Sequence, residues 1–216
     1  MSFRPIIGEK DLEAVYRADV AAYAEEALPK ARIAEWLAKY PDGALIAWDN
    51  DRVAASIGVW PLTEAAYRGL IDGTLHEADI QPEKFPVVTK ESPCAYLTLA
   101  AVYVHPDYRG SDLLPELMAR RFRHLAQSGH ASERTHLLGL ALSAGGERVL
   151  ARLGFKPSGH VREHLPPHEL AFDHEQLSAM PQRILSAYAH RAAELRPLPT
   201  PNSALARALS PAQSIS

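Results

Sequence analysis

Apolar residues in the first quarter of the chain recur at helical spacing. After a short β-prone run at 3–7, ended by Gly8, the residues Leu12, Val15, Tyr16, Val20 and Tyr23 fall on one face. Glu9 and Asp11 lie at the end where a helix dipole favours acids. A second helix is predicted over 29–40, where Ile33, Trp36, Leu37 and Tyr40 share a stripe and Pro29 suits the first turn. Pro41-Asp42-Gly43 breaks it, and the pattern changes to strands. Residues 44–48 and 52–60, joined by Asp49-Asn50-Asp51, predict a hairpin, because Asn and Asp tolerate positive φ. Residues 94–104 are apolar on both faces, as a central strand must be. A helix follows with Leu113, Leu114, Leu117, Met118, Phe122 and Leu125 on its buried side, and Gly129 ends it. A strand is predicted over 136–142, then a helix capped by Ser143 and closed by Gly154-Phe155. Residues 159–163 and 169–173 are expected to form a hairpin around Pro166-Pro167. Leu177, Met180, Ile184, Leu185, Tyr188, Ala192 and Leu195 predict a last amphipathic helix, with Pro181 as an interruption.

The connection 61–93 is less regular: a short helix at 63–71, then Gly73, prolines and several acids. It is long for a plain loop, so it suits a lid or substrate-binding element, or equally a surface decoration. After Arg196 the composition turns to Pro, Ser, Ala and Asn, which predicts disorder. The expected organisation is a domain over 1–174 with 61–93 inserted, a helix over 175–195 and a tail over 196–216.

A length of 216 residues suits one large domain better than two. The net charge of -3, with no basic stripe, argues against nucleic acid as a partner. Arg120, Arg121 and Arg123 are interleaved with apolar helix positions and read as a solvated face. The one cysteine, Cys94, excludes an internal disulfide and opens an apolar run, where it fits as a small core residue. Met1 to Pro5 lacks the apolar core of a signal peptide, and no run approaches the ~20 apolar residues of a membrane helix. The expectation is a soluble cytoplasmic protein with no membrane partner. His160, His164 and His168 recur every four residues, but Pro166-Pro167 breaks any helix that could align them, so no metal site is expected.

Two short words carry the candidate chemistry. Val102-Tyr103-Val104-His105-Pro106-Asp107-Tyr108-Arg109-Gly110 runs from the central strand into an amphipathic helix, and Leu150-Ala151-Arg152-Leu153-Gly154-Phe155 follows later. A helix N-terminus offers unpaired N–H groups and about half a positive charge, and so can cradle a pyrophosphate. Arg109 adds a permanent cation, and Gly110 lets the backbone approach a ligand. The same word also fits a plain strand-turn-helix junction with Pro106 setting the bend.

In this order, with a strand and a helix between them, the words resemble the acyl-CoA motifs of the Gcn5-related N-acetyltransferase (GNAT) family. The resemblance spans about 3–173 and is strongest over 96–155. It implies an α/β fold: a single GNAT-like domain with a mixed central β-sheet flanked by helices, here with a C-terminal helical extension. It implies acyl-CoA-dependent N-acyl transfer, from acetyl-CoA or another acyl-CoA to a small-molecule or peptide amine, with no metal. Val102 and Val104 would pair with pantetheine, while Arg109, Gly110, Ser111, Asp112, Leu113 and Leu114 would face the phosphates. Ser143 stands where the family often has an Asn that touches pantetheine, although helix capping is the commoner role of a Ser there.

The chain departs from the family at several positions. Asp112 and Leu114 replace small residues of the phosphate loop. Asp112 would either repel a pyrophosphate or cap the helix itself. The strand 94–104 holds no carboxylate to serve as a base, and Leu150 occupies the position of a frequent Tyr acid. Thr98 and Tyr103 are left as catalytic candidates. These departures keep a second reading open: a non-catalytic GNAT-like module that binds acyl-CoA or a protein partner. The C-terminal helix is a candidate for homodimer contact or for covering the sheet edge.

Overall fold

The computed structural model describes residues 1–159 and 166–194. His160, His164, the expected strand beyond Gly159, Leu195 and the tail at 196–216 lie outside the described residues. The elements run β1 (Ser2–Arg4), α1 (Glu9–Tyr23), α2 (Lys30–Lys39), β2 (Ala44–Asp49), β3 (Arg52–Pro61), α3 (Glu64–Asp72) and β4 (Cys94–Val104). Then come α4 (Leu113–Ser128), β5 (Ala131–Leu140), α5 (Ala144–Leu153), β6 (Lys156–Pro157), β7 (Pro167–Asp173) and α6 (His174–Glu194). The strands form one mixed sheet in the order β1-β2-β3-β4-β5-β7-β6, with β4 and β5 parallel and every other pair antiparallel.

Helices cover both faces. On one face Leu117, Met118 and Phe122 of α4 and Leu177, Met180 and Ile184 of α6 pack over Ile57, Val59, Leu97 and Leu99. On the other, Val15 of α1, Trp36 of α2 and Tyr67 and Leu70 of α3 pack over Ile46, Trp48 and Trp60. The central strand is apolar on both faces because both are buried. Helix α6 runs through Pro181 without interruption. Burial of Leu177, Met180 and Ile184 holds it and offsets the backbone bond that Pro181 cannot make. Strand β5 begins five residues earlier and ends two earlier than the apolar pattern suggests, leaving Leu142 in the following turn with more than half its surface exposed. The partner of β7 on its outer edge is Lys156–Pro157.

Two irregularities shape the middle of the sheet. Gly58 pairs with Ala100 and Ser56 with Tyr103, so Ala101 and Val102 together oppose Ile57. That is a β-bulge, and Ala101 takes φ 50° to accommodate it. The Ser56 hydroxyl, buried against the sheet, donates to the Ala101 carbonyl at 3.0 Å and holds the bulge. The second irregularity is a parting of strands. Pairing between β4 and β5 ends at Leu99 and Gly139, while β4 continues to Val104.

The connection 61–93 is docked at several points. Thr63 caps α3 by accepting the Ala66 N–H. The Tyr67 hydroxyl donates to Glu169 of β7 at 2.7 Å, and His136 of β5 meets the same carboxylate at 2.7 Å. Further along, the Ile80 carbonyl accepts bonds from Trp36 Nε1 and Arg32 Nη1, both at 3.1 Å. Trp36, Trp60 and Phe85 stack and cross with centroids 5.1–6.2 Å apart, a geometry worth about 0.5–1.5 kcal/mol per pair beyond burial.

Gly43 sits under this cluster, and a Cβ built there would lie 2.0 Å from the Trp60 ring. Gly43→Ala is therefore expected to destabilise the protein by about 1–3 kcal/mol through overpacking. Chemical denaturation should show a lower midpoint at an unchanged slope, with Trp fluorescence altered in the folded state.

Candidate functional site

The gap between the ends of β4 and β5 opens into a cavity of about 600 Å³. Its floor is the backbone from Leu99 to Val104, its walls include Leu140, Ala141 and the start of α5, and its far end is closed by Trp36, Trp60 and Glu77. A second cavity of about 500 Å³ adjoins it. Val104, Arg109, Leu114, Gly145, Arg148 and Val149 line both, so the two form one groove.

The second cavity is built for an anion. It lies between the first turns of α4 and α5, where the Leu113 N–H is bonded to the Ser111 hydroxyl and the Gly146 N–H to the Ser143 hydroxyl. Arg109, Arg148 and Arg152 line it, and none of the three makes an ion pair among the described residues. Arg109 Nε donates to the Val104 carbonyl at 3.3 Å, and Arg152 lies over the Tyr188 ring of α6 at 5.5 Å. Three guanidinium groups face one carboxylate, Asp112. At the water-like dielectric of this exposed site each charge contact is worth about 1 kcal/mol at 4 Å, so the cations prevail.

The word from His105 to Tyr108 works largely as an anchor. Arg52 pairs with Asp107 at 2.8 Å and meets the Tyr108 hydroxyl at 2.7 Å, and Tyr108 in turn donates to Asp49. These bonds tie the turn to the β2–β3 hairpin and fix where α4 begins. Asp112 stands at the N-cap of α4, yet its side chain makes no capping bond. The Ser111 hydroxyl accepts the Leu113 N–H at 3.3 Å instead, so Asp112 does not cap the helix with its own side chain. Gly110 takes φ 84° with open space where a Cβ would be. Ser143 lines the first cavity and also caps α5, accepting the Gly146 N–H at 3.1 Å.

The remaining sequence candidates fall in different places. Tyr103 lines the cavity and is mostly buried, which pushes its phenol pKa up. Thr98 is 1% exposed, and its hydroxyl has no hydrogen-bond partner among the described residues; it lies in the sheet and does not line the cavity. The Val102 carbonyl accepts the Tyr23 hydroxyl at 2.8 Å. Leu113 is buried under the start of α4, and Leu114 lines both cavities. Cys94 is buried with its thiol pKa raised by desolvation, as befits a packing residue. No group of three or more His, Cys, Asp or Glu side chains among the described residues could hold a metal.

Two carboxyl groups that the sequence did not single out interact near the far end, Glu77 at the cavity lining and Asp19 outside it. Glu77 lies in a 3₁₀ turn, Glu77–Asp79, of the 61–93 connection and lines the cavity. The turn is fixed by the Ile80 N–H to the Glu77 carbonyl at 3.1 Å and by the grip of α2 on the Ile80 carbonyl. Desolvation lifts the Glu77 pKa to about 7. Asp19 of α1 is 5% exposed, with Oδ1 unpartnered. Desolvation, then the charge of Glu77, raises its pKa to about 7 as well. Burial and these two acids also raise the pKa of Tyr23. The signal for Asp19 was present: it falls on the same helical stripe as Leu12 and Val15, where an acid is out of place.

No protein-family model matches the chain, and no curated protein matches it in sequence. Solved structures do match. The loading GNATL domain of CurA from Lyngbya majuscula superposes with a TM-score of 0.60 at 14% identity, over 81% of this chain and 98% of that one. The chain has the GNAT fold. The GphF GNAT-like decarboxylase in complex with isobutyryl-CoA shares it at a TM-score of 0.59 and 12% identity, over 81% and 100% of the two chains. Ard1 from Thermoplasma volcanium shares it at 0.54 and 12%, over 80% and 96%. At such identities the likeness establishes architecture, and chemistry has to be argued from this chain's own residues.

The raised carboxyls predict an unusual pH dependence. A group that holds its proton in the folded state while the unfolded chain has lost it contributes stability at low pH, and loses that contribution as pH rises from about 4 to about 7. Asp19→Asn removes one such group. It is expected to raise stability at pH 8 relative to pH 5 by on the order of 2 kcal/mol against the parent. Parallel stability curves for parent and variant, measured by denaturation across that range, would contradict the assignment.

Proposed function

We propose that the protein is an acyl-CoA-dependent N-acyltransferase, moving an acetyl or longer acyl group to an amine. The observation that carries this reading is one groove with opposite chemistry at its ends: three unpaired guanidiniums at one and a carboxyl of pKa about 7 at the other. Acyl-CoA supplies the acyl group as a thioester. Arg109, Arg148 and Arg152, with the N-termini of α4 and α5, would hold its phosphates. The backbone of Val102 to Val104, beyond the point where β5 departs, would lie alongside the pantetheine arm.

Glu77 takes the role of general base. An acceptor amine enters mainly as an ammonium, and a carboxylate near pKa 7 can remove its proton at working pH. Asp19 stands near it, its own pKa raised by burial and by the Glu77 charge. Much of the remaining barrier falls through holding amine and thioester together in a confined cavity. Tyr103, at the cavity wall, is left as a secondary candidate, whereas Thr98 is buried in the sheet outside the lining. No helix among the described residues is long and apolar enough to cross a membrane.

The exposed Asp112 beside the phosphate end supports a second reading, a non-catalytic module that binds acyl-CoA weakly or a protein partner. Titration calorimetry and release of free CoA separate the two. Acetyl-CoA or a longer acyl-CoA is expected to bind, with Arg148→Ala and Arg152→Ala each weakening binding about tenfold. With an amine acceptor, Glu77→Gln should lower kcat by a factor of ~10² or more while leaving acyl-CoA affinity unchanged. The parent's rate should rise as pH increases through about 7, as Glu77 ionises. Binding without CoA release for any amine would favour the module, and a failure to bind any acyl-CoA would exclude both forms of the acyl-CoA reading.

A further inference from the structure

Resting on the transferase reading, the outer end of the anion cavity also bears on how the donor is recognised. Gly145, Arg148, Val149 and Arg152 of α5 line that cavity, at the i, i+3, i+4, i+7 spacing of one helix face. The first three also line the main cavity, whereas Arg152 lines the anion cavity alone. The helix is thus laid along the groove. Arg109, from the turn into α4, and Arg148 stand where the two cavities join. Arg152 stands one turn farther along α5, about 6 Å of helix rise.

That outer position is completed by a different element. Tyr188, on the C-terminal helix α6, lines the anion cavity and not the main one. The Arg152 guanidinium lies over its ring at 5.5 Å, within cation–π range. Tyr188 is buried and Arg152 is exposed, so a fixed ring supports a long side chain that reaches into solvent. Less rotamer freedom is then lost when Arg152 meets a ligand. The acid that lines this cavity, Asp112, belongs to the N-cap of α4 and not to α5.

A donor with its thioester in the main cavity and its diphosphate at the junction has one anionic group left to place. In coenzyme A that group is the 3′-phosphate of the ribose, one sugar beyond the diphosphate. We propose that Arg152, held by Tyr188 of α6, binds this 3′-phosphate, so that the protein selects the complete coenzyme over forms that lack it. Arg152 is the specificity-determining cation, and Tyr188 is the positioning residue. A thioester on a phosphopantetheine arm alone lacks the nucleotide and would leave both without a ligand. Helix α6 then does more than cover the sheet: it completes the donor site.

Titration calorimetry of the full chain with coenzyme A and with 3′-dephospho-coenzyme A tests this. The parent is expected to bind coenzyme A about tenfold more tightly, or better. Arg152→Gln should weaken coenzyme A binding by about tenfold and change that of the dephospho form by less than about twofold, which also reports a folded variant. Tyr188→Phe keeps the ring and should keep the preference, whereas Tyr188→Leu should cut it about threefold or more. Equal affinity of the parent for the two forms would overturn the inference. So would a loss in Arg152→Gln that is equal for both, since the cation would then serve the diphosphate. An unchanged preference in Tyr188→Leu would overturn the role given to α6. In each of these cases the coenzyme still binds and the transferase reading stands. If the parent binds neither form, that reading fails, and this inference with it.

Discussion

One extra residue in β4 governs the geometry of the whole site. Because Ala101 and Val102 together oppose Ile57, the strand bends, and Ala101 is forced to positive φ. A lone Ala in that region is unfavourable, and the buried Ser56 hydroxyl on its carbonyl is the local compensation. Beyond this point β4 keeps its neighbour β3 but leaves β5. The sheet therefore opens inside a packed core instead of at an edge. That opening lines the cavity with β4 backbone, whose Ala101, Val102 and Val104 carbonyls accept from Ser56, Tyr23 and Arg109, and sets two helix N-termini at its mouth.

Charge then divides the opened groove. The arginines come from the α4 and α5 side, and the acids from α1 and the 61–93 connection. The acids are poorly solvated, so they hold protons near neutrality and cost the fold stability at higher pH. Retaining an unpartnered Asp19 in a helix stripe otherwise given to packing is hard to explain by stability.

Most of the fold was legible in the sequence, because periodicity follows burial. The run 94–104, apolar on both faces, is β4 to the residue, and Thr63, Ser143, Gly129 and Gly154 mark helix ends. The resemblance to GNAT motifs agrees with the fold. The site was less legible. Arg109 was visible from its word, but Arg148 and Arg152 lie on a helix whose turn toward the groove depends on the strands parting. Glu77 sits in a stretch without periodicity, where only tertiary packing around Ile80 decides what it faces. Asp112, given two opposing roles from sequence, does not cap the helix with its side chain; it stands exposed in the lining of the anion cavity.

Amide hydrogen exchange, with and without coenzyme A, tests the opened groove most directly. The account predicts slowed exchange on ligand addition at three places together: the end of β4 at 100–104, the start of α4 at 110–114 and the start of α5 at 143–146. Protection confined to other surfaces, or none at saturating ligand, would contradict it.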